Sequence, residues 1–232
     1  MKKIQAIVTD IEGTTTDIAF VHQVLFPYSA KRLADFVRDR QAEPAVAEAL
    51  AQTRAEMGDP KADTDAVIRQ LLEWIEQDRK ITPLKALQGL IWREGYERGD
   101  YQGHVYPDAV SVLRQWKERG IPLYIYSSGS EAAQRLLFGH SSAGDLTGWF
   151  QGYFDTRVGA KKEAESYRRI GQAINVAPAE ILFLSDSEAE LDAAREAGWQ
   201  TCQLVREGTV PSDHHPTAKD FTQIMAEGEA FS

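Results

Sequence analysis

Two carboxylates that follow an apolar segment are the residues of this sequence best suited to chemistry. Residues 4–8 form a short run rich in β-branched side chains, which predicts a buried strand, and Asp10 and Glu12 follow it. Asp10 can attack phosphorus and form an aspartyl-phosphate, while Glu12 can protonate a leaving oxygen and then deprotonate water. Open α/β sheets bind ligands at the carboxyl ends of their strands. The same residues also fit an acidic, threonine-rich surface turn, so the pair alone does not decide.

Phosphate chemistry at these carboxylates requires a cation, because an anionic nucleophile and an anionic ester repel each other. Mg²⁺ takes one or two carboxylates together with phosphate oxygens, which fits this arrangement. Gly13 permits a tight turn after Glu12, and we expect the N–H groups of Thr14 to Thr16 to hold an anion. If the segment is functional and not a surface turn, it therefore predicts a phosphate site that uses Mg²⁺.

Two later apolar runs end in polar residues in the same way. IPLYIYSSGS predicts a strand that ends at Ser127 and Ser128, and ILFLSDSE predicts one that ends at Asp186 and Ser187. On a parallel sheet these ends share one edge with Asp10. Three such endings in one chain favour a functional site over coincidence.

The polar residues after the second and third of these strands have separate interpretations. Ser127 and the N–H groups that follow it can hold phosphate oxygens, but Ser128 or Ser130 can equally serve as a helix N-cap. Asp186 can share a metal ion with Asp10.

Two further acids stand four and six residues after Asp186. Glu190 can orient the water shell of the metal, which is the interpretation that we favour, or it can simply be an acid favoured at the start of a helix. Asp192 is interpreted as structural, because acids are favoured in the first turn of a helix.

Positive charge for such a site is offered by the segment RVGAKKEAESY, which contains Lys161 and Lys162. A lysine at a loop-to-helix junction can neutralise a phosphate and keep Asp10 ionised. The alternative is a solvated lysine pair, which is the usual meaning of adjacent lysines.

The pattern of apolar residues predicts two kinds of structure along the chain. From Asp17 to about Tyr101 the apolar spacing is helical throughout, which predicts a helical block inserted after the first strand. After Pro107 helices and strands alternate, which predicts right-handed crossovers and a parallel sheet covered on both faces. The fold class is therefore α/β with a helical insertion.

Composition bounds the partners and the location of the chain. With 232 residues and a net charge of −9, a large core is possible, whereas nucleic acid and anionic membrane surfaces are disfavoured as partners. No apolar run is long enough to span a membrane, and Asp10 interrupts the first run too early for a signal peptide. Cys202 has no disulfide partner and is expected to be a buried hydrophobe. We expect a soluble, cytoplasmic protein and, without a long exposed apolar stripe, a monomer.

The order of these motifs resembles the haloacid dehalogenase-like hydrolase superfamily. An acidic nucleophile after the first strand, a serine after the second, a lysine and an acidic motif occur in that sequence across the whole chain. The first motif is D-x-E where most phosphatases of the superfamily have D-x-D. With TDIEGTTT, IAFVHQVLFPYS, YSSGS and FDTRVGAKKEAESYRRI, it closely resembles the enolase-phosphatase (acireductone synthase) family. This resemblance implies a Rossmann-like core of residues 1–16 and 103–232 and a helical cap of residues 17–102.

The resemblance also implies roles for the acidic residues. Asp10 is the phosphoryl acceptor and a ligand of one Mg²⁺ ion, and Asp186 is the distal ligand. Glu12 is the acid/base and contacts the metal through its main-chain carbonyl.

The binding residues follow in the same way. Ser127 and Ser128 bind the phosphate-bearing substrate, and Lys161 matches the lysine of the family. Lys162 is then a solvated residue, or it takes the role of the family's lysine if Lys161 does not.

The activity that the resemblance implies belongs to methionine salvage. The family enolises 2,3-diketo-5-methylthiopentyl-1-phosphate and then removes phosphate, which releases the acireductone. A phosphatase for another small ester and a phosphate-binding module without turnover remain the alternatives. The enolisation base remains open between Glu12 and water.

Other residues that can line a site are weaker candidates. Five aromatic residues of the helical block could contact a methylthio tail, although they are more simply core: Phe20, Phe26, Tyr28, Trp92 and Tyr101. His22 is more simply a packing or surface histidine. His214 and His215 lie in the polar loop PSDHHPT, too close together and too isolated in the sequence to predict a metal site.

Overall fold

The computed structural model describes residues 3–224, which form two compact units. Residues up to Ile18 and from Gly103 onward belong to one unit, and Ala19–Gln102 form the other. The first unit is α/β and the second is helical. Residues 1–2 and 225–232 lie outside the description.

The helical unit contains short and long helices in succession. Helix α1 (Ile18–Phe20) continues as a π-helical turn, Val21–Leu25, and then as α2 (Phe26–Arg40). Three longer helices follow, namely α3 (Pro44–Met57), α4 (Thr64–Glu76) and α5 (Thr82–Arg98).

The ends of these helices follow from local chemistry. Pro44 and Pro83 lie in the first turns of α3 and α5, where the N–H that proline lacks would have no intrahelical partner. The Asp63 side chain caps α4 by accepting the N–H of Ala66 at 2.7 Å. Gly58 closes α3 in the left-handed conformation that glycine adopts without strain.

The core of the helical unit is formed by the apolar stripes that the sequence predicts. Leu71 of α4 and Leu87 and Ile91 of α5 are fully buried and pack with Leu33 of α2. The stripe of each helix thus supplies one side of a single core.

The α/β unit contains six strands among the described residues: β1 (Ala6–Thr9), β2 (Leu123–Tyr126), β3 (Gly152–Phe154), β4 (Ile181–Ser185), β5 (Gln200–Leu204) and β6 (Thr217–Ala218). They pair in parallel in the order β3-β2-β1-β4-β5-β6. Every residue of β1, β2 and β4 is buried, which agrees with their apolar sequences.

The sequence predicts four of these six strands, namely the three runs described above and the apolar run TCQLV, which corresponds to β5. It missed β3 and β6, which have three and two residues. Both lie at the edges of the sheet, where so short a segment shows no apolar period.

Four helices connect the strands: α6 (Pro107–Glu118), α7 (Glu131–Gly139), α8 (Ala164–Ile174) and α9 (Glu188–Glu196). Tyr167 and Ile170 of α8 and Leu191 of α9 pack on Val8 and Phe183 in the core of the sheet. The strands and helices alternate as predicted.

The strand order creates a switch point beside β1. The chain passes from β1 to β2 and β3 on one side, and then returns to β4 on the other side of β1. In open α/β sheets the crevice at such a reversal, at the carboxyl ends of the strands, is the ligand site. Asp10 follows β1 and Asp186 follows β4, so both carboxylates lie at this position.

Candidate active site

Asp10 is fixed at the end of β1 by the neighbouring strand. Its N–H donates to the carbonyl of Leu184 at 2.8 Å, which extends the pairing of β1 with β4 by one residue. The Thr15 hydroxyl donates to the carbonyl of Asp10 at 3.2 Å. The carboxylate of Asp10 is thereby presented from a rigid backbone, with the residue 5% exposed.

The threonines after Gly13 do not form the anion cradle that the sequence suggested. The N–H groups of Thr14, Thr15 and Thr16 all donate to the carbonyl of Ile11, at 3.1, 3.0 and 2.9 Å. That prediction is wrong because a single turn of the chain closes on Ile11 and uses these donors internally.

The threonine side chains instead form hydrogen bonds with other segments of the chain. The Thr14 hydroxyl accepts the N–H of Asp186 at 3.0 Å, and the Thr16 hydroxyl donates to the carbonyl of His104 at 2.8 Å. The turn after β1 is thereby attached to the residue that follows β4 and to the segment that precedes α6.

Asp186 is seated directly against Gly13. A Cβ atom placed on Gly13 would lie 2.7 Å from Cγ of Asp186, and the φ of +73° at Gly13 also favours glycine. On the other side, Gln203 of β5 donates from Nε2 to the carbonyl of Asp186 at 2.9 Å. Glycine at position 13 is therefore what allows the carboxylate after β4 to approach the turn after β1.

Lys161 forms ion pairs with two carboxylates of the site. Its Nζ lies 2.6 Å from Oδ1 of Asp10 and 2.6 Å from Oε2 of Glu190, and only 9% of its side chain is exposed. Glu190 is further fixed by the Ser185 hydroxyl, which donates to Oε2 at 2.9 Å. One ammonium group thus balances two buried carboxylates.

The loop that carries Lys161 is held by the sheet and by α8. The Tyr167 hydroxyl donates to the carbonyl of Lys161 at 2.6 Å, and the Tyr126 hydroxyl donates to the carbonyl of Gly159 at 3.0 Å. Lys162 is exposed. The geometry therefore assigns the buried position to Lys161 and the solvated one to Lys162.

Burial and charge set the protonation of these groups. Burial lowers the pKa of Lys161, but the charges of Asp10 and Glu190 reverse this effect, so its net pKa is raised and the ammonium is retained. Burial, followed by the charge of Asp10, raises the pKa of Asp186 to about 6. Burial and the charge of Asp10 also raise the pKa of Glu190. The site thus holds more negative charge than Lys161 alone can compensate.

The remaining predicted site residues are Glu12, Ser127 and Ser128. Glu12 lies in the turn beside Gly13, and its charge contributes to the raised pKa of Asp186. Ser127 is buried at the end of β2, where its N–H donates to Phe154 and its hydroxyl accepts the N–H of Gly129. Ser128 follows, partly buried.

The helix N-cap after β2 is a third serine. Ser130 accepts the N–H of Ala133 at 3.3 Å and caps α7. Capping therefore does not account for Ser127 or Ser128.

Sequence reasoning missed a basic residue that supports the turn. Arg206 donates to the carbonyl of Thr14 at 3.1 Å and pairs with Asp108 at 2.8 Å, and its guanidinium covers the ring of Tyr106 at 3.9 Å. The pairing also lowers the pKa of Asp108, against the opposing effect of burial. The only available signal was an arginine directly after the β5 run, which is too common to be informative.

The contact that Glu190 makes in the structure is not the one that the sequence suggested. The sequence associated Glu190 with the water shell of a metal, whereas the structure places it on Lys161. The lysine and the acid lie 29 residues apart in the chain, so no local pattern could join them.

The five aromatic candidates for a substrate wall lie in or beside the helices of the helical unit. Phe26 stacks on Trp92 with ring centroids 6.3 Å apart, and Tyr101 contacts the edges of Tyr28 and Phe20. The Trp92 indole also donates to the carbonyl of Leu25 at 2.8 Å. These contacts agree with the packing interpretation.

Three further residues that the sequence set aside lie elsewhere. His22 is exposed and contacts Phe26 by its edge. His214 and His215 both lie 3.1 Å from Oδ1 of Asp192 on α9.

The residues at the switch point fit a divalent cation. Asp10 and Asp186 offer carboxylate oxygens, the ligands that Mg²⁺ prefers, and the main-chain carbonyl of Glu12 lies in the same turn. The raised pKa of Asp186 reflects burial beside a like charge, which a dication relieves.

Comparison with known proteins gives consistent matches along the chain. A model of the haloacid dehalogenase-like hydrolase family matches residues 4–198. Proteins named Enolase-phosphatase E1 from Methylococcus capsulatus and Pseudomonas aeruginosa are each 58% identical to this chain, over 97% of the chain and 99% of the relative. The crystal structure of the UTR4 protein from Saccharomyces cerevisiae matches with a TM-score of 0.80 and 34% identity, covering 96% of this chain and 100% of that one. Among residues 3–224, no helix is long and apolar enough to cross a membrane.

Proposed function

The chain belongs to the haloacid dehalogenase-like hydrolases, and from this premise we propose that it is an enolase-phosphatase, or acireductone synthase, of methionine salvage. It enolises 2,3-diketo-5-methylthiopentyl-1-phosphate and hydrolyses the enol phosphate, which yields 1,2-dihydroxy-3-keto-5-methylthiopentene and phosphate. The names of the relatives, which match over almost their whole length, support this substrate.

The observation that carries the proposal is the position of Lys161 between Asp10 and Glu190, with both Nζ–oxygen distances at 2.6 Å. The ammonium group of Lys161 thus contacts the carboxylate proposed as the nucleophile and lies where it can also attract a phosphate. Asp10 lies at the switch point of a parallel sheet, where α/β folds bind ligands.

The phosphatase half-reactions follow from these positions. Asp10 attacks phosphorus and forms an aspartyl-phosphate as the ester oxygen departs with a proton from Glu12. Glu12, now ionised, takes a proton from water, and the resulting hydroxide attacks phosphorus and releases Asp10. Ser127, Ser128 and Lys161 bind the phosphate oxygens.

Mg²⁺ would be held by Asp10, Asp186 and the main-chain carbonyl of Glu12. When bound, it supplies positive charge that reduces the repulsion between Asp10 and the phosphate. The excess of carboxylates over ammonium groups at the site supports this assignment.

The helical block is proposed to act as a cap, with residues 17–102 inserted into a core of residues 1–16 and 103–232. Exclusion of water protects both the enol and the aspartyl-phosphate. The separate hydrophobic core of the helical unit supports its treatment as a distinct element.

The setting of the reaction is proposed from composition. The net charge of −9 supports a small phosphate ester, and not nucleic acid or an anionic membrane, as the partner. We place the enzyme in the cytoplasm as a monomer.

The test is a single time course with the purified protein, Mg²⁺ and the diketo-phosphate, in which enol absorbance and free phosphate are recorded together. We expect enol to appear before or with stoichiometric phosphate. Phosphate without the enol product would indicate the second candidate, a phosphatase of another ester, and absence of both signals would refute the proposed activity.

The Asp10→Asn variant separates binding from turnover in the same assay. Phosphate release should disappear while a phosphate analogue still binds, because the amide is a poor nucleophile of nearly the same shape. Retained turnover would falsify the assignment of Asp10 as the nucleophile. Phosphate release by the wild-type protein, lost in the variant while binding is retained, would exclude a module that binds phosphate without turnover.

A further inference from the structure

A second cluster of ligand-type side chains lies at the other face of α9. Oδ1 of Asp192 is 3.1 Å from Nε2 of His214 and 3.1 Å from Nε2 of His215. The three potential ligand atoms all lie within 4.8 Å of one another. Asp192 is 22 residues from the first of the two histidines in the chain, so only the fold brings them together.

The outer nitrogens of both histidines are held by oxygen atoms. Nδ1 of His215 lies 2.8 Å from the Thr201 hydroxyl, and Nδ1 of His214 lies 3.3 Å from Oε1 of Glu188. Where a histidine binds a metal, the other ring nitrogen characteristically donates to a carboxylate or another oxygen. Both Nε2 atoms donate to Oδ1 of Asp192 in this arrangement. A bound metal ion takes the place of the two Nε2 protons, and the ring protons then lie on Nδ1, towards the oxygens of Thr201 and Glu188.

The loop that carries the histidines is already ordered for this arrangement. The Ser212 hydroxyl accepts the N–H groups of His214 and His215, at 3.3 and 3.2 Å, and donates to Glu188 at 2.6 Å. The His215 side chain is 0% exposed.

We propose that Asp192, His214 and His215 form a binding site for a transition-metal dication such as Zn²⁺, separate from the Mg²⁺ site at Asp10. Two imidazoles and one carboxylate suit Zn²⁺, whereas Mg²⁺ prefers oxygen ligands alone. Ligands about 2 Å from a tetrahedral Zn²⁺ are roughly 3.3 Å apart, close to the spacing of Asp192 from each histidine. A small displacement therefore admits the ion, with a water molecule as the fourth ligand.

One neighbouring charge opposes the ion and provides a sharp test. Arg195 donates from one guanidinium nitrogen to Oδ1 of Asp192 at 2.8 Å and from another to the carbonyl of His214 at 3.1 Å. Its side chain is 48% exposed, so it can turn into solvent when the metal binds. Replacement of Arg195 by glutamine should therefore strengthen metal binding.

The experiment measures binding directly and does not depend on activity. Chelator-treated Asp186→Asn protein, in which the Mg²⁺ site is impaired, is titrated with Co²⁺ in excess Mg²⁺ while the visible absorption is recorded, and with Zn²⁺ by calorimetry. We expect one equivalent to bind with the absorption of a nitrogen-ligated ion. His214→Ala and Asp192→Asn should each weaken binding by about tenfold or more, and Arg195→Gln should strengthen it.

Controls keep the result interpretable. His22→Ala removes an exposed histidine of the helical unit and should leave the titration unchanged. The side chains of Asp192 and His214 are both 47% exposed, so their variants are expected to fold, and circular dichroism checks this. Absence of a stoichiometric site, or a site indifferent to His214→Ala and Asp192→Asn, would overturn the proposal without bearing on the phosphatase.

Discussion

At the scale of single residues, Lys161 determines the charge balance of the candidate site. Its ammonium contacts Asp10 and Glu190, and its surroundings leave only 9% of the side chain exposed. A buried charge whose partner is removed is strongly destabilising. Substitution of Lys161 therefore bears both on the stability of the fold and on the proposed chemistry.

We expect Lys161→Met to lower phosphate release by about 10²-fold or more, because the charge that stabilises the reacting phosphate is lost. Two uncompensated carboxylates should also lower the free energy of unfolding by roughly 3 kcal/mol at neutral pH. The loss should be smaller near pH 5, where Glu190, whose pKa is raised by burial and by the charge of Asp10, is more easily protonated. Steady-state kinetics and urea denaturation at the two pH values measure both effects.

Lys162→Met is the matched control, since Lys162 is the exposed neighbour. It should leave activity and stability nearly unchanged. If the two variants behaved alike, the assignment of Lys161 would be wrong.

The carboxyl group of Asp186 should make the proposed Mg²⁺ binding depend on pH. Burial and the charge of Asp10 raise its pKa to about 6, above its value in the unfolded chain. In metal-free protein this group therefore favours the folded state at acidic pH, and that contribution is lost as pH rises through about 6. Mg²⁺ should then raise the melting temperature more at pH 7.5 than at pH 5, where protons compete for the ligand.

Calorimetric scans with Mg²⁺ and with excess chelator test this at both pH values. The chelator should also abolish hydrolysis reversibly, and Asp186→Asn should lose the Mg²⁺ effect on melting. Full hydrolysis in excess chelator, or an equal Mg²⁺ shift at the two pH values, would contradict the assignment.

At the scale of elements, the turn after β1 depends on glycine at position 13. Its φ of +73° and the carboxylate of Asp186 against it both exclude a side chain. Gly58 has a similar φ of +70°, but a Cβ there would meet nothing within 4 Å. The two glycines therefore separate backbone strain from displacement of Asp186.

Gly13→Ala and Gly58→Ala should each lower the free energy of unfolding, by roughly 1 kcal/mol from backbone strain. Only Gly13→Ala should also displace Asp186 and weaken Mg²⁺ binding and turnover. Mg²⁺ titration and kinetics of both variants provide the comparison. Normal Mg²⁺ binding in folded Gly13→Ala protein would mean that Asp186 is not held against the turn as described.

At the scale of the whole molecule, the chain has a hydrophobic core in each unit. The core of the helical unit includes Leu71, and the sheet of the α/β unit includes Leu182, and both side chains are fully buried. Truncation of a buried leucine to alanine typically costs about 3 kcal/mol. If the units are separately stabilised, such a change should act on one unit only.

We therefore expect Leu71→Ala to reduce amide protection in α2 to α5 and to leave the protection of β1 and β4 largely intact. Leu182→Ala should have the reverse pattern. Native-state hydrogen exchange of both variants distinguishes the cases. Equal loss of protection in both units would show that they unfold as a single cooperative structure.

Much of the fold could be predicted from the chain alone because its signals are local. The apolar runs of β1, β2, β4 and β5, the helical stripes and the polar residues at strand ends are all encoded within a few residues of one another. The placement of Asp10 and Asp186 at one edge followed from the parallel sheet that these runs imply.

Only the tertiary structure decided which partners those residues have. The choice of Lys161 as the buried lysine depends on the hydroxyls of Tyr126 and Tyr167, which donate to backbone carbonyls of its loop. Tyr126 and the partner Glu190 are both distant from Lys161 in sequence. The contact of the Thr14 hydroxyl with the N–H of Asp186 joins residues that lie 172 positions apart. The sequence alone thus determined which side chains and elements are available, because periodicity and residue chemistry are local. The fold decided their contacts and charge balance, because these arise between segments that only long-range packing brings together.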